Sequence, residues 1–220
     1  MNRPVPPDPR MPPSQSDLLA GPVLPSRRVM YRARPRRDSA CESDDCLFAR
    51  DIDTPLGRML ALADRQGLRL LEFVDRRGLD KVIGRLRRRL QCAVVPGTNA
   101  MLEAVEAQLR RYFAGEQLEF DLPLAPVGSA FQLGVWAALQ RIPGGKTRSY
   151  AEIAAEVGRP GAQRAVGRAN GSNVMLIVIP CHRVIGADGS LSGYGGGVWR
   201  KQRLLDLERA FSRATPGKSL

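Results

Sequence analysis

From Leu47 onward the chain alternates between apolar runs and turn-forming breaks. Leu47–Ile52, Arg58–Ala63 and Gly67–Phe73 are short and rich in apolar residues, and they are separated by Thr54-Pro55-Leu56-Gly57 and Asp64-Arg65-Gln66-Gly67. That pattern predicts strands joined by tight turns. The period then lengthens. Leu79, Val82, Ile83, Leu86 and Leu90 recur at helical spacing with arginines on the opposite face. Thr98 or Asn99 is placed to cap a second helix carrying Met101, Leu102, Val105, Leu109 and Phe113, which stops at Gly115. Together these predict a small α+β unit. A turn-rich stretch around Pro123–Gly128 marks a boundary. Beyond it, Ser129 can cap a helix through Gln140 that turns Phe131, Val135, Trp136 and Leu139 inward and ends at Pro143-Gly144-Gly145. Ser149 and Glu152 have the spacing of a capping box for a helix over Tyr150–Val157. The tight turn Gly158-Arg159-Pro160-Gly161 and a further helix from Ala162 to Ala169 complete a helix-turn-helix arrangement. The apolar run Met175–Ile179 predicts a buried strand.

The second helix of that pair is thin. Ala162, Ala165, Gly167 and Ala169 are small, with Gln163, Arg164 and Arg168 standing among them. Such a helix can bring its backbone close to a partner, and an arginine on it suits the narrow minor groove better than the major groove. The structural alternative is a helix packed tightly on its neighbour.

Residues 1–45 lack apolar residues spaced to form a face. Nine of the 17 prolines fall between Pro4 and Pro35, beside arginines 27, 28, 32, 34, 36 and 37. This segment is expected to be a disordered basic tail. The formal net charge is +12, and the only lysines are Lys81, Lys146, Lys201 and Lys218. So large an arginine excess favours a polyanionic partner, nucleic acid ahead of membrane. No apolar run reaches membrane-spanning length, and the N-terminus has prolines where a signal peptide needs an apolar core. The chain is therefore expected to be cytoplasmic, with Cys41, Cys46, Cys92 and Cys181 reduced. Cys41 and Cys46 would be only half of a structural zinc site, so no metal is expected.

Chemistry concentrates at Pro180-Cys181-His182-Arg183. His182 is the sole histidine of the 220 residues and lies directly beside a cysteine. A thiol is a strong nucleophile as thiolate, and an imidazole can take its proton near neutral pH. Two other classes remain open on these residues: a non-enzymatic DNA-binding regulator, and a Cys-His hydrolase, which would call for an oxyanion hole and a histidine distant in sequence.

The stretch Val178-Ile179-Pro180-Cys181-His182-Arg183-Val184-Ile185-Gly186, then Leu191-Ser192-Gly193-Tyr194-Gly195-Gly196-Gly197, then Lys201-Gln202-Arg203-Leu204-Leu205 with Glu208, resembles the O6-alkylguanine-DNA alkyltransferase family. The likeness is strong from Ser129 to Glu208 and weaker over the α+β unit. It implies an α+β chain with a tail at 1–45, a ribonuclease-H-like domain at 46–125, a winged-helix-like DNA-binding and catalytic domain with a helix-turn-helix at 126–212, and a flexible end at 213–220. It implies a single-turnover protein, monomeric and without cofactor, that takes the alkyl group of O6-alkylguanine from double-stranded DNA after base flipping, with O4-alkylthymine left open as a second substrate. Cys181 would be the acceptor, His182 the base acting through a water, and Glu208 the carboxylate orienting His182. Asn173 would brace the turn before the active-site strand, and Tyr150 would protonate the departing guanine. Arg164 would fill the vacated stack, with Ala162, Gln163, Ala165, Gly167 and Arg168 also facing DNA. Val184, Tyr194, Gly195 and Gly196 would line the guanine pocket. Gln163, Asn170 and Gly171 depart from the family pattern and bear on groove contact.

Overall fold

The computed structural model of the protein describes residues 46–214; the expectations for residues 1–45 and for the last few residues lie outside this range. Three strands, β1 (Cys46–Ile52), β2 (Met59–Asp64) and β3 (Gly67–Phe73), form an antiparallel meander. Helix α1 (Leu79–Leu90) follows, then β4 (Ala93–Pro96), which joins β1 in parallel and gives the sheet order β3-β2-β1-β4. Helix α2 (Ala100–Phe113) closes the unit, capped by Asn99, whose side-chain oxygen accepts from Leu102 N.

Both faces of this sheet are covered, so alternation is lost and nearly every residue of β2 and β3 is buried. Leu60 and Leu62 of β2 face one way, with Leu47, Leu70 and the α1 residues Ile83 and Leu86. Met59, Ala61 and Ala63 face the other way, with Leu71, Phe73 and the α2 residues Leu102, Val105 and Leu109. That second cluster continues without a break into the C-terminal half through Val135, Trp136, Ile153, Val166 and Leu204.

The C-terminal half consists of α3 (Ala130–Gln140), β5 (Arg148–Ser149), α4 (Tyr150–Glu156), α5 (Gln163–Gly171), a 3-10 turn at Cys181–Arg183, β6 (Val184–Ile185) and α6 (Val198–Ala214). β5 and β6 pair in parallel. The turn that presents Cys181 is thus fixed to the start of α4. Ser129 and Ser149 each complete a capping box, with Gln132 and Glu152. The two hydrogen bonds of such a box satisfy backbone donors that a helix start otherwise leaves bare. Ser149→Ala is expected to lower stability by about 1 kcal/mol and to loosen the turn that carries Tyr150. Thermal melts of the two proteins check this, and equal melting temperatures would show that the box adds no stability.

Two expectations are corrected. Residues 175–179 are not a strand. Met175 makes a single bridge to Leu71 of β3, and the chain then turns back, with Ile177 at a φ of 72° and Ile179 N donating to Met175 O. The Asn173 side chain accepts from Met175 N and donates to Ile179 O, at 2.9 Å each, taking the place of a ladder. A short apolar run reads alike as a strand or as any other buried segment. The thiols are also not all reduced. Cys46 is disulfide-bonded, while Cys92 and Cys181 are free. The redox poise of a compartment carries no information on which sulfurs lie within bonding reach.

Candidate active site

The site is built around Glu208 on α6, a carboxylate with no solvent exposure. Its Oε1 accepts from Tyr112 Oη at 2.9 Å and from Arg183 Nη2 at 2.9 Å, and lies 2.9 Å from His182 Nε2. Its Oε2 accepts from Arg183 Nε at 2.9 Å and from Gly145 N at 3.0 Å. Gly145 has to be glycine: its φ is 72°, and a Cβ there would lie 2.2 Å from Ser212 Oγ. Arg183 is itself buried and donates further to the carbonyls of Ile142 and Leu118. Burial alone would raise the Glu208 carboxyl, but His182 and Arg183 hold it well below the usual carboxylate range. With an arginine, a tyrosine and a backbone amide all donating to it, Glu208 is ionised whichever proton His182 carries.

That charge fixes the imidazole. Burial holds the His182 pKa below its ordinary value against the pull of Glu208, so the ring is neutral at pH 7. A neutral ring facing an ionised carboxylate places its proton on Nε2. Nδ1 is then the lone-pair nitrogen, and it is buried with no partner among the described residues. Cys181, the preceding residue, is 2% exposed. Burial pushes its thiol up to about 12; the Asn173 side chain and the Lys201 ammonium oppose the rise, and Glu72 adds to it. The cysteine is therefore a neutral thiol at rest, not the thiolate that its neighbouring imidazole suggests in sequence.

Tyr194 joins this centre to the surface. Its ring stands edge-on to His182, and its hydroxyl is buried without a partner among the described residues. It also lines an open pocket of about 580 Å³ with Tyr150, Gln163, Arg164, Gly167, Ser192 and Gly195. α5 forms one wall of this pocket and the glycine-rich loop after β6 the other. A second groove, on the other flank of α5, is lined by Phe131, Gln132, Arg164, Ala165 and Arg168.

Sequence models of the 6-O-methylguanine DNA methyltransferase ribonuclease-like domain and DNA-binding domain match residues 48–126 and 130–210. The methylated-DNA–protein-cysteine methyltransferase of Mycolicibacterium paratuberculosis is 52% identical over 167 residues, covering 76% of this chain and 94% of the relative. The chain belongs to the O6-methylguanine-DNA methyltransferase family. Among solved members, the O6-methylguanine methyltransferase of Mycobacterium tuberculosis superposes with a TM-score of 0.66 at 42% identity, covering 78% of this chain and 96% of that one. The same species' protein in complex with DNA gives 0.65 at 44% identity, covering 74% and 94%. The α+β architecture, with a ribonuclease-like unit ahead of a DNA-binding unit, is that of the family.

The fold gathers most of the residues singled out in the sequence. Cys181, His182, Glu208 and Asn173 converge behind Tyr194, and Tyr150, Gln163, Arg164, Gly167 and Gly195 line the pocket. Val184 lies fully buried beneath, its carbonyl accepting from Lys201 Nζ at 2.5 Å. Gly196 is packed against Phe73 and Tyr194, where a Cβ would approach each ring to 2.8 Å. Ala162 precedes α5 as its N-cap. Asn170 points inward rather than toward a groove, and donates to Cys181 O at 3.3 Å. Sequence reasoning missed four supports. Tyr112 and Arg183 hold Glu208, and Lys201 ties Val184 O to Ser192 O. Arg200 pairs with Asp75, stacks 3.9 Å from the Phe73 ring and donates to Gly196 O. Arg183 stands inside the Pro-Cys-His-Arg motif and Lys201 is one of four lysines, but no local pattern marks a buried cation.

Proposed function

We propose that this protein is a methylated-DNA–[protein]-cysteine S-methyltransferase that repairs O6-alkylguanine in duplex DNA by moving the alkyl group onto its own Cys181. The observation that carries the reading is the buried Cys181 beside a neutral His182 whose Nε2 is held by Glu208 and whose Nδ1 is left free to accept. Cys181 Sγ–H gives its proton to Nδ1 through a bridging water, since adjacent side chains seldom point at each other. The sulfur attacks the alkyl carbon in line, a C–S bond forms, and the C–O6 bond breaks with its electron pair staying on guanine. Tyr150, in the pocket wall, protonates the departing base. The alkyl donor is the damaged DNA, so no cofactor is called for. A thioether has no carbonyl for water to attack, so each molecule reacts once. The C–O6 bond sits inside the duplex, so the base is extruded at a cost of a few kcal/mol. Arg164, exposed on α5 at the pocket mouth, replaces it in the stack.

Mass spectrometry after incubation with an O6-methylguanine duplex tests the reading. One added methyl on Cys181 is expected; tight binding with no mass gain would leave a DNA-binding regulator instead. Arg164→Ala is expected to slow repair of duplex at least about tenfold more than transfer from free O6-benzylguanine, because a free base needs no extrusion. Equal losses on the two substrates would make Arg164 a structural residue.

A further inference from the structure

Helix α1 carries five cations, Lys81, Arg85, Arg87, Arg88 and Arg89, against one acid, Asp80. Its buried side is Leu79, Ile83 and Leu86. At about 100° per residue, Lys81, Arg85 and Arg88 fall in one row directly opposite, spaced i, i+4, i+7, and all three are exposed. None of Lys81, Arg85, Arg87 or Arg88 makes an ion pair among the described residues. The helix's own needs explain part of this charge. Cations in the last turn complement the C-terminal end of the dipole, which accounts for Arg87, Arg88 and Arg89. They do not explain Lys81, in the first turn, where a cation is unfavourable, nor Arg85 in the middle. Like charges at i, i+4 also repel. Lys81 and Arg85 therefore weaken their own helix, and nothing in the described structure offsets that.

Its position suggests what does. Arg89, at the end of α1, donates to Gly128 O at 3.1 Å. Gly128 lies against the Trp136 ring, and Trp136 Nε1 donates to Ala169 O on α5. Gln132, in the capping box that begins one residue after Gly128, donates to Ser172 Oγ and lines the groove that holds Arg164 and Arg168. Residues 128–132 thus join the end of α1 to the outer flank of α5. We propose that the Lys81–Arg85–Arg88 row is a second contact for the DNA backbone, extending the α5 footprint onto the N-terminal domain. The inference rests on the duplex-repair reading. The occupant is the phosphate backbone, because the row offers charge at regular spacing with no pocket or aromatic face to read a base.

The test is the salt dependence of binding to an O6-methylguanine duplex of about 24 base pairs, between roughly 50 and 200 mM salt. Removing one phosphate-neutralising cation should flatten the slope of log K against log[salt] by about 0.9. Lys81→Gln/Arg85→Gln/Arg88→Gln is expected to flatten it by about 2 or more and to weaken binding. Transfer from free O6-benzylguanine should be unchanged, and the variant should melt close to the parent, the relieved repulsion at Lys81 and Arg85 offsetting the lost Arg88–dipole interaction. Should the triple variant fail to fold, Arg85→Gln carries the same test with a change of about 0.9. An unchanged slope and affinity, alongside weakened binding by Arg164→Ala, would overturn the second contact and leave the repair reading intact. If the parent protein reacts with the free base but does not bind duplex, the duplex reading fails and this inference falls with it.

Discussion

Cys181→Ala is expected to abolish alkyl transfer and to leave duplex affinity within about twofold of the parent. No other described sulfur can take over. Cys46 is in a disulfide, and Cys92 is half-buried on the far side of the N-terminal sheet, its thiol pushed up by burial and by Asp64. The pocket-lining residues of α4 and α5 do not depend on the thiol, and replacing a sulfur by hydrogen removes little buried volume. Mass spectrometry after incubation with methylated duplex, paired with a binding isotherm, checks both halves. A methyl found on the Cys181→Ala variant would place the acceptor elsewhere and end the assignment.

The second large effect is on Glu208. Glu208→Gln keeps the shape of the side chain and removes the charge that balances Arg183. Breaking one partner of a buried ion pair typically costs about 3–5 kcal/mol, which for a domain of this size is a melting-temperature loss of roughly 10 °C. Transfer should fall as well, because an amide fixes neither the tautomer nor the orientation of His182. The pH dependence separates this from a packing defect. The Glu208 pKa is depressed in the folded protein, so its stabilisation is full above the unfolded carboxylate value and is lost as pH falls below it. His182 is also depressed, so the stability linked to its neutrality is lost as pH falls below its ordinary 6.5. The parent should therefore lose stability on acidification in two stages, near pH 6.5 and again below about 4.5, and Glu208→Gln should lose most of the second stage. Parallel melting curves for parent and variant down to about pH 3 would show that the carboxylate charge carries no stability.

What the sequence discloses is mostly local. Ser149 and Glu152 meet within one turn, and the structure has both reciprocal bonds. β3 is bounded as expected because Gly67 and the turn before it are chain-local signals. The four-residue β4 escapes such a reading, since Ala93–Pro96 is a strand only by virtue of β1, some 45 residues away in the chain. The run 175–179 misleads for a related reason. Its shape is imposed by the Asn173 side chain and by Leu71 of the other domain, and no period records either. The Cys-His-Glu set can be found because the family resemblance marks its members. The ionisation state of Cys181 cannot, because it depends on burial contributed by distant segments.

On the single-turnover reading proposed above, that burial has a consequence. Burial pushes the Cys181 thiol up to about 12, so at pH 7 it is held almost wholly protonated, whereas an ordinary exposed cysteine is a few per cent thiolate. Peroxides and stray electrophiles react with thiolates, so a resting molecule offers them almost no target. The low resting reactivity works as a safety catch. On the same reading it keeps the acceptor intact until an alkylated base lies beside Tyr194 and sulfur attack hands the thiol proton to His182 Nδ1.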